Sequence, residues 1–361
     1  MRWDRTQVRW GLESVAVIVV LAGADLALGP RVSFSGTLVI GPFIAAAVLD
    51  PLPTAGVAAL ALVAGAVISL VEHPPLVEGG IRLVAVIGGS LLAVWLASLR
   101  VKREQELAAV SRVAEVAQRC ILSAVPSTVG EVAFASRYLS ATREAAIGGD
   151  LYEVVECEGL VRAVVGDVRG KGLDAVRLAA LVLGSFREAA QSLMPLQDVA
   201  LLMDRRLVRH LDAEDFVTAV LVEFRADGTV VLVNCGHHPP LCIRAHGIEL
   251  LTAPSATTPL GLDPCPVPQT TVLAPGDRVL LYTDGLVEAR STSGRMLALD
   301  HLAGTLRRPD LDDALGELVR MVQTLVRGPV ADDLALLLAE YRGRGSTQEV
   351  PDPVREAVAR R

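Results

Sequence analysis

Two hydrophobic rhythms divide the chain. Between Gly11 and Leu99, long apolar runs are broken only by brief polar punctuation, whereas beyond Arg100 apolar residues come in strand-length runs and helical spacings. The uncharged runs are Val32–Leu49, Pro51–Val71 and Leu83–Leu99, preceded by Ser14–Ala24, which continues past Asp25 to Leu28. A membrane-crossing helix needs about 20 mostly apolar residues. The pattern therefore predicts an all-α membrane region of four spans near 11–28, 33–49, 54–71 and 81–99, with Asp50-Pro-Leu-Pro53 as a tight turn. Three further apolar runs follow the first, so that run is read as a span and not as a cleaved leader.

After the fourth span, Leu107, Val110, Ala114, Ala117 and Ile121 recur every three or four residues, with Arg103, Glu104, Glu106, Arg112 and Glu115 on the other faces. This predicts a connector helix over 100–125, ended by Pro126 and Gly130. A two-heptad seam fits equally a homodimeric signalling helix and an amphipathic helix packed on the domain that follows. From Glu131 the rhythm becomes that of strands. Val132–Leu139 is one; Asp150–Glu156 and Leu160–Asp167 form a hairpin around Cys157-Glu-Gly159; Phe216–Phe224 and Thr229–Cys235 form another around Ala226-Asp-Gly228. Val279–Thr283 and Leu334–Tyr341 are buried strands, and Gly172–Ala190, Asp198–Leu211 and Leu311–Val326 are helices. Hairpins alternating with helix pairs predict an α/β layered sandwich over 126–342, with antiparallel sheets inside and helices outside. A tail over 343–361, rich in charge, Gly and Pro, is predicted to be disordered.

Charge sharpens the division. Only seven Asp, Glu, Lys or Arg residues lie between Gly11 and Leu99, and the remainder of the chain has an ordinary soluble composition. Arg2, Arg5 and Arg9 precede the first span, and Arg100, Lys102 and Arg103 follow the fourth, which favours a cytoplasmic location for both flanks in the cell membrane. Asp25 and Glu13 are expected near the interfaces. A net charge of −7 without a basic cluster argues against a nucleic-acid partner. The five cysteines form no CxxC pair and fit reduced thiols, not zinc or disulfides. Gly170-Lys171-Gly172 lacks the spacing of a nucleotide-binding loop.

The candidate chemistry lies in aspartates at strand ends. Asp150 ends IGGD, Asp167 ends AVVGD, Asp284 follows VLLYT, and Asp332 and Asp333 open the last strand. A single Asp-Gly pair is usually a turn. Several at the ends of buried strands, beside glycines that allow close backbone approach, can converge on one rim and suit hard cations such as Mg²⁺ or Mn²⁺.

The segments AAIGGDLYEVV, VVGDVRGKGLDAVRLA, DFVTAVLVEF, NCGHHPPLCIR, TPLGL, APGDRVLLYTDGLVEAR and ADDLALLLA occur in the order of the metal-dependent PPM-type serine/threonine phosphatases. Together they resemble most the bacterial branch of stage II sporulation protein E and the RsbU-like regulators of sigma factors. The resemblance covers about Val125 to Tyr341. It implies an αββα sandwich whose binuclear Mn²⁺ or Mg²⁺ site hydrolyses phosphoserine or phosphothreonine on a protein, such as an anti-sigma factor antagonist, by attack of a metal-bridging hydroxide. Asp150, Asp167, Asp284 and Asp332 match the metal-ligand aspartates, Val168 the residue whose backbone carbonyl ligates metal, and Asp333 a secondary neighbour. Gly149, Gly166 and Gly285 match the positions where the chain bends around the ions.

Two positions depart from the pattern. Ala335 stands where a hydroxyl is common, and His238 adds a second histidine to NCGHHPP. His237 has two readings, a general acid or substrate contact and a turn that positions a loop. Arg143 is a candidate phosphate contact. A non-catalytic membrane scaffold that keeps the fold is the alternative function, and a membrane-anchored nucleotide cyclase is a more distant one.

Overall fold

The computed structural model describes residues 5–28, 35–122, 124–139, 149–212, 214–289, 299–326 and 332–344. Two units emerge, Met1–Ala109 and Val110–Arg361, and the division falls inside one long helix.

In the first unit, helices α1 (Arg5–Leu28), α2 (Ile40–Val48), α3 (Pro51–Glu72) and the start of α4 (Leu76–Ile121) follow one another. Three stretches are long and apolar enough to cross a membrane, namely Thr6–Leu28, Pro51–Glu72 and part of Leu76–Gln118. The expected second span near 33–49 contains a 3₁₀ turn, Ser35–Val39, followed by a nine-residue α2, an apolar piece shorter than the other three stretches. Pro42 has no N–H to donate and so belongs in the first turn of an α-helix, which prevents α2 from starting much earlier, and Asp50-Pro51 ends the segment. The expected fourth span and connector are one continuous helix, α4.

The polarity of this unit is inverted relative to a water-soluble bundle. Ser14, Asp25, Thr54 and Ser90 are buried, while Val19, Val20, Val63, Leu70, Val84 and Leu91 are exposed. Apolar side chains outward and small polar ones inward are what a lipid solvent selects. At the α3–α4 turn Arg82 bonds Glu72 at 3.1 Å and also pairs with Glu78.

The second unit contains two antiparallel sheets. Strands β1 (Thr128–Val129), β2 (Val132–Leu139), β3 (Leu151–Cys157) and β4 (Leu160–Val168) precede helices α5 (Leu173–Ala190) and α6 (Leu196–Leu207). Strands β5 (Val217–Phe224), β6 (Thr229–Cys235), β7 (Leu241–Arg244), β8 (Gly247–Leu250), β9 (Gln269–Val272) and β10 (Arg278–Tyr282) follow. A single turn α7 (Asp284–Val287), helices α8 (Leu299–Leu306) and α9 (Leu311–Val326), and β11 (Leu334–Tyr341) complete the unit. The sheet orders are β1-β2-β11-β10-β7-β8 and β3-β4-β5-β6-β9.

Period-2 alternation explains the layering. On β5, Val220, Val222 and Phe224 face the opposite sheet, while Ala219 and Leu221 face α5 and α6. On β11, Ala335, Leu337 and Ala339 point between the sheets, and Leu334, Leu336 and Leu338 meet the α8–α9 layer. Both faces are covered, so these strands read as unbroken apolar runs.

Each sheet is fastened to its helices by a buried arginine. Arg162 on β4 lies directly opposite Glu223 on β5, bonds it at 2.9 Å, and donates to the carbonyls of Ala190, Ser192 and Met194 at and beyond the end of α5, at 3.2, 2.6 and 2.7 Å. Arg278 on β10 repeats the device opposite Glu340 on β11, at 2.6 Å, and reaches the carbonyls of Leu306 and Arg308 after α8. In both cases a cation meets the electronegative end of a helix.

The last turns of α4 belong to this unit. Ile121 and Ala117 pack against Val176 of α5, and Arg187 donates to the Ile121 carbonyl at 3.2 Å. Upstream, Leu107, Val110, Val113 and Val116 remain exposed. The helix ends at Ile121, before the expected stop at Pro126.

Candidate active site

The two sheets bring their acidic strand ends to a common rim. Asp150 sits just before β3 and Asp167 is the penultimate residue of β4, in one sheet. Asp284 opens α7 after β10, and Asp332 and Asp333 precede β11, in the other. Carboxylate oxygens of Asp150, Asp167 and Asp284 lie within 4.8 Å of one another, and those of Asp284, Glu288 and Asp332 do the same. A cleft of about 360 Å³ opens over them, lined also by Val168, Lys171, Phe216, Thr218, His237 and His238.

The glycines permit this convergence by steric allowance. A Cβ on Gly149 would come within 2.5 Å of the Val168 carbonyl oxygen, one on Gly166 within 2.6 Å of the Thr218 carbonyl oxygen, and one on Gly285 within 2.1 Å of the Asp333 carbonyl oxygen. The last contact is between the two acidic segments themselves, so the approach of Asp284 to Asp332 depends on Gly285.

Crowded carboxylates resist ionisation. Burial, and then the charge of Asp167, push Asp150 well above the usual carboxylate range. Burial followed by the charges of Asp284 and Asp332 raises Asp167 to about 7, and burial with Asp332 raises Asp284. Such a cluster favours protons or cations over bare charge. Oxygen-only donors in this number fit a hard divalent cation, so the residues present fit the metal expected of them.

A pH dependence follows. A carboxyl raised on folding adds stability at pH below about 4, and that contribution is lost as pH rises through the folded value near 7. A cation that binds must displace these protons. Mn²⁺ affinity measured by calorimetry should therefore be about tenfold or more higher at pH 8 than at pH 6; equal affinities would show that the cluster is already ionised.

Thr283 is a site residue that the sequence reading missed. Its hydroxyl donates to Asp150 at 2.6 Å and accepts the Ala335 N–H at 2.9 Å. The hydroxyl absent at Ala335 is thus supplied from the facing strand, and the signal was the Thr of YTDG. Thr283→Val would orphan a buried N–H and free the Asp150 carboxylate. The expected cost is about 1–3 kcal/mol of stability and roughly 10–100-fold in cation affinity, read by thermal melting and Mn²⁺ titration. Glu288 was also missed; the signal was its i+4 spacing from Asp284 in DGLVE.

Asp333 is buried and accepts a short hydrogen bond from the Tyr138 hydroxyl, turning away from the cleft wall. His237 is buried with both ring nitrogens engaged. Nε2 donates to the Tyr282 carbonyl at 3.0 Å, which leaves Nδ1 to accept from Thr218 Oγ1 at 2.9 Å. Asn234 clasps its backbone on both sides at 2.8 Å. Burial lowers its pKa to about 4, and its bonding is that of a neutral ring anchoring a loop, the second of its two readings. His238 stacks on Tyr282 at 6.2 Å. Arg143 lies outside the described residues.

Facing antiparallel sheets, a helix layer on each, and aspartates converging at their common end define a PP2C-like fold. The family model for stage II sporulation protein E (SpoIIE) matches residues 158–342, and the chain belongs to that family. Among solved structures it is similar to the RsbU and RsbW domains of Rv1364c from Mycobacterium tuberculosis, at 25% identity and a TM-score of 0.53, covering 60% of this chain. The match spans 62% of the length of that chain. It is also similar to the SiaA-PP2C domain of Pseudomonas aeruginosa, at 22% identity and a TM-score of 0.54, covering 68% of this chain and 99% of that one.

Proposed function

We propose that this protein is a membrane-anchored phosphatase that removes phosphate from serine or threonine of a protein regulator resembling an anti-sigma factor antagonist. The observation that carries the reading is the convergence of Asp150, Asp167 and Asp284 from both sheets to within 4.8 Å. Asp150, Asp167, Asp284 and Asp332, with the Val168 carbonyl and Asp333 as secondary support, would hold two Mn²⁺ or Mg²⁺ ions. Divalent cations bound there supply an activated water and offset phosphoryl charge for in-line displacement. The chain's own part is positional. Thr283 holds Asp150, the Tyr138 hydroxyl holds Asp333, and the His237 anchor fixes the β6–β7 loop where it lines the cleft.

The regulator class is supported by the likeness to an RsbU-containing chain. Basic flanks on both sides of the apolar region support a cytoplasmic N-terminus and catalytic unit, which requires an even number of crossings. The short 3₁₀–α2 segment would supply the return pass alongside the three long helices. The exposure of Leu107 and Val110, which begin the seam that continues at Ala114, supports homodimerisation through α4.

The test uses the full chain in lipid nanodiscs with Mn²⁺ and phosphorylated regulators from the same cell. Phosphate release that stops with chelation supports the reading. Mn²⁺ binding without phosphate release from any of them would favour a scaffold that keeps the fold.

A further inference from the structure

A phosphomonoester dianion approaching a rim of four aspartates is repelled unless cations face it. Among the described residues lining the cleft, Arg169 and Lys171 carry full positive charge. Arg169 is committed elsewhere, since its guanidinium donates to the Glu214 backbone at 2.5 Å and lies 5.4 Å from the centre of the Phe216 ring. Lys171 is different. Its ammonium donates to Asp332 Oδ1 at 3.1 Å, at the acidic rim, and its side chain is 44% exposed, toward the cleft that substrate would enter. An ammonium has three donors, so this one bond tethers the group and leaves two N–H available to an incoming oxyanion.

The backbone holds it there. Gly170 and Gly172 on either side adopt φ of 111° and 86°, conformations that L side chains rarely take. Together they form a tight crest between β4, which ends with the Asp167 segment, and the start of α5. Lys171 is therefore carried by a loop whose two ends are fixed, one of them by a candidate metal ligand.

We propose that Lys171 binds the phosphoryl oxygens of the substrate, tethered over the rim by Asp332. The proposal rests on the metal-centre reading above. It gives Gly-Lys-Gly a role as an oxyanion contact built from a point charge and not from a nucleotide-binding loop.

The experiment uses the full chain in nanodiscs with Mn²⁺, p-nitrophenyl phosphate as substrate and inorganic phosphate as competitive inhibitor. Lys171→Gln should raise the Ki of phosphate and the KM of p-nitrophenyl phosphate in parallel, each by about tenfold or more. Mn²⁺ binding by calorimetry should be no weaker than in the wild type, and the melting temperature unchanged. Lys171→Arg should recover most of the phosphate affinity. An unchanged phosphate Ki in an active Lys171→Gln variant would overturn the proposal. So would a loss of Mn²⁺ affinity that accounts for the whole activity change, because Lys171 would then act on the metal ligands alone. Failure of the wild type to bind Mn²⁺ would instead defeat the metal-centre reading, and this proposal with it.

Discussion

Asp284→Asn, and separately Asp167→Asn, should lower Mn²⁺-dependent phosphate release by about 10³-fold or more. Both carboxylates belong to the set whose oxygens lie within 4.8 Å, and Asp284 also belongs to the second set with Glu288 and Asp332. An amide keeps the shape and removes the charge that a cation needs. A loss of folding would look similar in an activity assay, but the electrostatics separate the two. Burial and neighbouring charges raise both carboxyls, so removing one charge relieves repulsion. Without divalent cation each variant should melt no lower than the wild type at pH 8, and the melting shift that Mn²⁺ produces should shrink. Retained activity in both variants would remove the mechanism.

Arg162→Ala should cost about 3–5 kcal/mol, a fall in melting temperature of roughly 6–20 °C for a domain of this size. Arg162 is 1% exposed and Glu223 is 3% exposed. Truncation would leave Glu223 Oε2 and the carbonyls of Ala190, Ser192 and Met194 without the Arg162 donor. The pair itself is not thereby a large source of net stability, because desolvation offsets much of its attraction. Replacing both partners, as in Arg162→Met with Glu223→Leu, should recover much of the loss. The comparison is Arg225→Ala. Arg225 bonds the same glutamate at 2.9 Å but is 49% exposed, and its loss should cost about 1 kcal/mol or less. Equal effects of Arg162→Ala and Arg225→Ala on melting would contradict the buried-clamp account.

These two experiments probe features of unequal visibility in the sequence. Periodicity located β2, β6, α9 and β11 to the residue, because their apolar patterns are bounded by polar residues or Gly. The four short strands β1, β7, β8 and β9 were not read, since two to four residues are too few to establish a period. The candidate aspartates were legible because each closes or opens a buried strand beside glycine. Thr283 and Glu288 were overlooked although both lie in YTDGLVE, since their partners Asp150 and Asp332 are remote in the chain. Arg162 and Arg278 looked like ordinary strand polarity; only their cross-strand glutamates and the helix ends beneath them give them a function.

By itself the sequence determined the division between an apolar helical region and a mixed α/β unit, the order of the longer strands and helices, and the family. These depend on local period, composition and motif, which need no knowledge of distant contacts. Tertiary structure alone decided that His237 anchors a loop and that Lys171 stands over the acidic rim. Each of those depends on which remote groups satisfy a hydrogen bond or a charge, and that pairing exists only once the two sheets have closed on one another.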